Sequence, residues 1–205
     1  MNNSSDKIFF RAFAKEDYLL INKWRNDESI QKMTVGPFRY VSLEMEKEWV
    51  CGKMMNNANE IYWAICIKSL SEKMIGYTSL NNIDYINRSA SVGGVVIGES
   101  DYRDGDIRHE VGVKTRKYAF DELNLHRLRG TCLAEHKVSR IMMEASGFKL
   151  DGVERQAVYK HGEYHDVLVY SLLEQEYREL LKNGAYELRN YARRVKEIRQ
   201  KYINI

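Results

Sequence analysis

The sequence predicts a mixed α/β fold in which a mixed, mostly antiparallel central sheet is flanked by helices and followed by a long C-terminal helix. Short runs rich in β-branched and aromatic residues alternate with longer runs whose apolar residues recur at helical spacing. The early strands follow each other through short turns, and the later part reads strand, helix, strand, helix, strand, which favours a mixed sheet covered by helices. With 205 residues, one proline and no Gly/Ser-rich linker, we expect one domain at 1–173 and a helical extension at 174–205.

Each expected element has a local signal in the chain. Ser42 is a candidate N-cap, Gly147 is a candidate C-cap, and the "KHGE" stretch at 160–163 is typical of a β-hairpin turn. The expected strands lie at 7–13, 60–68, 73–84, 90–98, 126–134, 148–159 and 164–173. The expected helices lie at 15–27 and 42–56, from the 102–110 loop to about Leu123, from 137 to Gly147, and in the C-terminal segment.

Composition and charge exclude several classes of protein. Apolar residues make up 44% and charged residues 30% of the chain, and a net charge of +3 is too small to indicate nucleic-acid binding. Cys51, Cys66 and Cys132 lack CxxC spacing, so we expect buried thiols at the last two and neither disulfides nor a metal site. The start "MNNSSDK" has no apolar signal region and no run approaches the roughly 18 apolar residues of a membrane span, so we expect a cytoplasmic protein.

The stretch "YRDGDIRHE" at 102–110 lies between an apolar strand and a helix, where a phosphate-binding loop would sit. Backbone N–H groups and the helix N-terminus attract an anion, and glycine lets the backbone approach it. This loop has one glycine, Gly105, between Arg103 and Arg108. The alternative is an ordinary solvated turn in which Asp104 or Asp106 caps the helix.

Five motifs occur in one order along the chain: "WRND" (24–27), "VGGVVIGESDYR" (92–103), "YAFDELNLHRL" (118–128), "SGF" (146–148) and "GEYHDVLVYSLL" (162–173). Together they resemble the GNAT acetyltransferase superfamily, in the branch with ribosomal-protein, spermidine and amino-sugar N-acetyltransferases. The resemblance covers about residues 7–173 and implies acetyl-CoA as donor and a primary amine as acceptor. It also implies that a central strand and the following loop hold the cofactor.

The resemblance assigns a set of cofactor contacts and also shows departures from the family pattern. The small positions of the family's [QR]-x-x-G-x-[GA] loop fall on Asp106 and Arg108, and the position of its usual general-acid tyrosine falls on Met143. The family's asparagine position falls on His136, and Val92 stands where many relatives carry glutamate. The cofactor contacts implied by the resemblance are Val95, Val96, Ile97, Arg103, Asp104, Gly105, Asp106, Ile107, Arg108, His136, Ser139 and Met143.

Proton transfer and acceptor binding have candidates of their own. His136 and Glu110 are the candidate catalytic residues, because either could exchange a proton beside the expected cofactor channel. For each candidate the structural reading, core packing or a solvated sheet surface, stays open. The candidate substrate-binding residues implied by the resemblance are Trp24, Arg25, Asn26, Phe38, Tyr159 and His165.

The segment after Glu174 is strongly charged and carries apolar residues at helical spacing, interrupted by Gly184. We expect a helix of roughly 25 residues whose apolar stripe packs on the domain or forms a homodimer. The function expected overall is acetyl-CoA-dependent N-acetylation of an amino sugar or nucleotide sugar, a polyamine, or a peptide N-terminus. The mild positive charge favours an anionic acceptor. The alternative is a non-catalytic relative that binds another ligand or a protein partner.

Overall fold

A computed structural model of the chain describes residues 6–32, 34–68 and 72–203, and this described part contains seven α-helices and eight strands. No helix within it combines the length and apolarity needed to cross a bilayer. The strands are β1 (Ile8–Arg11), β2 (Ile61–Ile67), β3 (Met74–Asp84), β4 (Ser89–Val92), β5 (Val96–Ile97), β6 (Arg127–Leu133), β7 (Lys149–Lys160) and β8 (Glu163–Leu173). The helices are α1 (Tyr18–Arg25), α2 (Glu28–Gln31), α3 (Leu43–Met55), α4 (Gly105–Lys117), α5 (Lys137–Ala145), α6 (Glu174–Lys182) and α7 (Leu188–Ile203).

The contacts divide the chain into two units, which do not follow the predicted boundary at residue 173. The first unit comprises Met1–Lys32, Phe38–Ile83 and Gly93–Thr115. The second unit comprises Met33–Pro37, Asp84–Val92 and Arg116–Ile205. The C-terminal helices therefore belong to the second unit and are not separated from it.

In the first unit, four antiparallel strands pair in the order β1-β2-β3-β5. Isoleucines fill one core cluster, in which Ile65, Ile75 and Ile107 are at most 1% exposed. A second, aromatic cluster contains Trp24, which stacks on Tyr77. Alternating apolar residues on the strands and the inner faces of the helices thus supply the core that the sequence pattern predicts.

In the second unit, strands pair in the order β4-β6-β8-β7, with β4–β6 parallel and the other pairs antiparallel. The β7–β8 hairpin turns at His161 and Gly162, which have φ of 51° and 88°. Two left-handed residues in a two-residue loop are the geometry of a type I′ turn, which matches the twist of the strands. The predicted mixed, mostly antiparallel sheet flanked by helices is confirmed.

Local chemistry sets several boundaries as predicted. The hydroxyl of Ser42 accepts a hydrogen bond from the backbone N–H of Met45, three residues into α3. Gly147 ends α5 with φ of 95°, and Phe148 N–H donates to the carbonyl of Met143. Both caps satisfy backbone groups that a helix end leaves without partners.

Three elements differ in their extent from the prediction. The expected strand at 90–98 is divided into β4 and β5. In the segment between them, Gly93 N–H donates to the carbonyl of Ser79 in β3, outside a regular ladder. The expected helix at 15–27 begins with a 3₁₀ turn and ends at Arg25, and α2 is separate. The predicted C-terminal helix is present as α7 and is shorter than expected, because Gly184 takes φ of 66° after α6 and separates the two.

The C-terminal helices are held by aromatic contacts inside the second unit. Tyr177 stacks on Phe120 at 4.6 Å and on Tyr186 at 5.6 Å between ring centroids. The guanidinium of Arg116 lies 4.6 Å from the ring of Tyr186. Tyr191 is 4% exposed. Because the chain itself covers this part of the stripe, a dimer is not needed to bury it, and homodimerisation stays a prediction.

Candidate active site

Strand β5 is an edge strand of the first unit, so one side of its backbone has no strand partner there. Gly98 N–H donates to Ile75 O, so the backbone groups of Gly98 point toward β3. In an antiparallel pair successive residues alternate, and the N–H and C=O of Ile97 therefore point away from β3. Arg103 turns back onto that edge and donates from Nε to Ile97 O at 3.1 Å and from Nη2 to Gly98 O at 2.9 Å. Val95 and Val96 are partly buried beside it.

The loop before α4 is a capped helix start. A carboxylate oxygen of Asp104 accepts the N–H of Ile107 at 2.7 Å, so Asp104 is the N-cap. Asp106 points elsewhere, with its carboxylate 3.4 Å from the Nζ of Lys7 at the surface. A side chain at Gly105 would meet nothing within 4 Å, so the first turn borders open space. The predicted turn with an Asp cap is present, and Asp106 does not occupy the anion position.

The amides of Gly105 and Asp106 have no acceptor within the helix, as for any first turn. Arg108 stands one turn further along and is partly buried. Desolvation, and secondly repulsion from Arg103, lower the pKa of its guanidinium, with a smaller opposing effect of Asp104. A bound dianion would relieve that repulsion. These residues fit the diphosphate of a nucleotide cofactor, although the Asp104 carboxylate at the same turn weakens the local positive potential.

A buried ion pair lies at the C-terminal end of α1. The Arg25 guanidinium is 3.3 Å from a carboxylate oxygen of Glu46 and 3.8 Å from the centroid of the Trp49 ring. The Glu46 side chain is 0% exposed and that of Arg25 is 25% exposed. Burial raises the pKa of the Glu46 carboxyl, and the attraction of Arg25 partly offsets it. The guanidinium therefore reaches the surface while its counter-ion stays beneath.

Two of the predicted substrate contacts at this corner are structural instead. Trp24 is 1% exposed and packs so closely on Gly98 that a Cβ there would lie 2.0 Å from the indole ring. The side-chain amide of Asn26 donates to the carbonyl of Val41 and accepts its N–H, both at distances below 3 Å. Trp24 fills the core and Asn26 fastens the chain before α3, so neither is offered to an acceptor.

The aromatic candidates differ in exposure. Phe38 is partly buried and makes an edge contact with the exposed ring of Tyr40. In the second unit, Tyr159 and Tyr164 pair across the hairpin, and both are exposed by more than half. Phe38 and Tyr159 remain available for binding, each within its own unit.

His136 is the N-cap of α5, and its Nδ1 accepts the N–H of Ser139 at 3.4 Å. An Nδ1 that accepts carries no proton, so the ring proton sits on Nε2. Donation by an imidazolium would require this cap to open. Met143 faces β6, where a Cβ at Gly130 would lie 3.0 Å from its methyl group. The thioether cannot act as a proton donor.

Glu110 is held by the backbone at the start of β1. Its two carboxylate oxygens accept the backbone N–H groups of Lys7 and Ile8, at 3.1 and 3.2 Å. Lys114 lies 3.7 Å away, one turn along α4. Glu110 therefore anchors the start of β1 on α4, and a catalytic role for it stays a prediction.

His165 is also held by its neighbours. Its Nδ1 lies 2.7 Å from the Glu135 carboxylate and its Nε2 lies 3.1 Å from Lys160 O. The side chain is 14% exposed. With both ring nitrogens engaged, His165 would have to give up a contact to receive an acceptor group, and its role in substrate binding stays a prediction.

Sequence reasoning missed the burial of Glu46 and Lys160. Glu46 lies four residues before the buried Val50 in α3, so helical spacing could have placed it on the inner face. Lys160 gives no such signal, because it ends a strand whose other residues are mostly exposed. Its Nζ is buried by loop residues that lie more than 120 positions away in the chain.

Residues 7–149 match the family described as acetyltransferase (GNAT) domain. The putative ribosomal N-acetyltransferase YdaF of Bacillus subtilis (strain 168) is 34% identical over 104 residues, 51% of this chain and 56% of that relative. The uncharacterized N-acetyltransferase p20 of Bacillus licheniformis is 26% identical over 174 residues, 84% of this chain and 96% of the relative.

Solved structures share the fold. The spermidine N-acetyltransferase from Vibrio cholerae, in complex with CoA and spermine, has a TM-score of 0.75 at 23% identity and covers 84% of this chain and 98% of its own. A probable acetyltransferase has a TM-score of 0.73 at 24% identity, over 84% of this chain and 96% of its own.

The family match, together with an open strand edge followed by a helix start suited to a diphosphate, defines the class of protein. The chain belongs to the GNAT acetyltransferase family. It is an N-acetyltransferase, and its co-substrate is acetyl-CoA.

Proposed function

We propose that this N-acetyltransferase acts on a primary amine whose carrier also bears an anionic group, with a nucleotide-linked amino sugar as the representative acceptor. The observation that carries the proposal is the Arg25–Glu46 pair. Its cation is partly exposed, whereas its carboxylate is 0% exposed. A polyamine is a polycation, so its site needs carboxylates that are accessible to it. An anionic acceptor needs an accessible guanidinium, and in this pair it is the guanidinium that is accessible.

The acceptor corner and the cofactor loop are neighbours within the first unit. Trp24, next to Arg25 in the chain, packs on Gly98 at the end of β5. Asp27 lies 3.9 Å from Arg103. An acceptor held by Arg25 thus lies close to β5, the strand on which the resemblance implies that the cofactor binds. Holding the two reactants close together is the largest contribution that positioning residues make.

On the cofactor side, we assign diphosphate binding to the amides of Gly105 and Asp106 and to the guanidinium of Arg108. The open edge at Val95 and Ile97 offers backbone groups for the amides of the pantetheine arm. Arg103 already donates to two carbonyls of this edge, so we assign it the secondary role of holding the edge in shape. Bound acetyl-CoA supplies the activated acetyl group.

The contributions expected of His136, Ser139, Met143 and Tyr159 in the second unit remain predictions from the family resemblance. The resemblance gives His136 as a candidate for the proton on the departing thiolate. We assign this proton to solvent instead, which also takes up the proton that the attacking amine loses, because the Nδ1 of His136 is used by the cap and Met143 has no proton to give.

A panel of amines tests the acceptor class. Thiol release from acetyl-CoA is measured with a nucleotide-linked amino sugar, a peptide with a free N-terminus and spermidine. We expect the highest kcat/KM with the nucleotide-linked amine and a reduced value for Arg25→Met with that amine. The peptide is the runner-up, supported by the ribosomal N-acetyltransferase relative. Preference for spermidine would refute the proposal.

A further inference from the structure

Lys160 ends strand β7 with its side chain buried in the second unit, and only 4% of the residue is exposed. Its Nζ donates to Thr34 O at 2.9 Å, to Thr34 Oγ1 at 3.3 Å and to Gly36 O at 3.0 Å. Burial lowers the pKa of this ammonium group. Three hydrogen bonds from one buried cation to a loop without helix or strand structure define where that loop lies.

The backbone of Lys160 is fixed as well. His165 Nε2 lies 3.1 Å from Lys160 O, and His165 Nδ1 lies 2.7 Å from the carboxylate of Glu135. Glu135 immediately precedes His136, the N-cap of α5. The lysine is therefore held at both ends, and its position is tied to the start of α5 within the same unit.

The anchored loop continues directly into a candidate acceptor contact. Phe38 follows Gly36 after a single residue, Pro37. The ring of Pro37 fixes its own φ and restricts the residue before it. One restricted residue therefore separates the carbonyl that Lys160 holds from Phe38.

We propose that Lys160 is a positioning residue for acceptor binding, which fastens the loop at Thr34 and Gly36 immediately before the candidate acceptor contact Phe38. The inference rests on the proposed function in that it takes Phe38 to contact the acceptor. Without Lys160, the loop keeps its chain connections but loses three hydrogen bonds. The acceptor then has to order the loop on binding, which weakens its affinity.

The test compares Lys160→Met, which keeps the length of the side chain and removes the donors, with Lys149→Met at the exposed start of the same strand. Hydrogen exchange of the 34–38 backbone is measured together with the KM values for the nucleotide-linked amine and for acetyl-CoA. We expect faster exchange and an acceptor KM raised by about tenfold in Lys160→Met, with the acetyl-CoA KM within about twofold. Lys149→Met leaves all three unchanged.

Unchanged exchange at 34–38, or equal increases in both KM values, would overturn the proposal. If Lys160→Met does not fold, Lys160→Arg gives the same comparison, because a planar guanidinium cannot direct three donors from one atom. If the wild-type protein acetylates none of the three amines of the panel, the proposed function fails. The exchange comparison still decides whether Lys160 fastens the loop.

Discussion

The buried pair of Arg25 and Glu46 gives a prediction whose size follows from the structure. At the 3.3 Å separation, the Coulomb attraction is about 5 kcal/mol with an effective dielectric constant of about 20. The desolvation of a fully buried carboxylate costs several kcal/mol and consumes most of that gain. Removing Arg25 alone leaves the desolvation cost of the Glu46 carboxylate without the attraction that offsets it. We therefore expect Arg25→Met to lower the free energy of unfolding by about 3 kcal/mol at neutral pH.

A double-mutant cycle separates this electrostatic effect from the loss of Arg25 packing on Trp49. Glu46→Gln alone is expected to change stability by less than about 1 kcal/mol, and in the Arg25→Met background it should recover about 2 kcal/mol. Packing on Trp49 is absent from both Arg25→Met proteins, so it cancels in the coupling energy. Urea unfolding followed by tryptophan fluorescence supplies the four free energies. Additive effects of the two substitutions would refute the claim that the charges are coupled.

The same carboxylate predicts a pH dependence. Because burial raises the pKa of Glu46, the folded protein holds this proton more tightly than the unfolded chain does. The contribution of Glu46 to stability is therefore fully present below the ordinary carboxyl pKa and is lost as the pH rises through the raised pKa. The melting temperature of Glu46→Gln relative to wild type should be higher at about pH 7 than at about pH 4. A difference of the opposite sign would contradict the assignment.

Three further predictions concern the cofactor side. Acetyl-CoA at about 100 times its Kd should stabilise the protein by about 2.7 kcal/mol, and no rise in melting temperature at millimolar concentration would contradict cofactor binding. Arg108→Ala should weaken acetyl-CoA binding, measured by calorimetry, by about tenfold. Arg103→Ala should weaken it less, because Arg103 already donates to two backbone carbonyls. Equal affinities of the two variants and the wild type would exclude phosphate contacts by these side chains. Gly98→Ala should destabilise the fold by about 3 kcal/mol or more, because its Cβ would lie 2.0 Å from the Trp24 ring, whereas Gly94→Ala, with open space around it, should be tolerated in the same denaturation assay.

The site was only partly predictable from sequence, and particular residues show why. The resemblance led to the loop at 103–108, where Asp104 caps the helix as one of the two aspartates considered for that role, and phosphate binding by the same loop stays a prediction. The roles of Trp24 and Asn26 could not be decided from their types, since a tryptophan and an asparagine at a helix end can face a ligand or the core. Only the partners across space, Gly98 for the first and Val41 for the second, settle the question.

By itself, the sequence determined the features that depend on neighbouring residues in the chain: the Ser42 cap, the glycine end of α5, the hairpin turn and the periodicities that define a mixed α/β fold. Tertiary structure decided where charges are buried and what they touch. The sequence gives a spacing signal for the burial of Glu46 and none for that of Lys160, and in both cases the partners that cover the charge are brought together only by folding. The physical reason is range: caps and turns are satisfied within a few residues, whereas desolvation depends on everything that packs around a group.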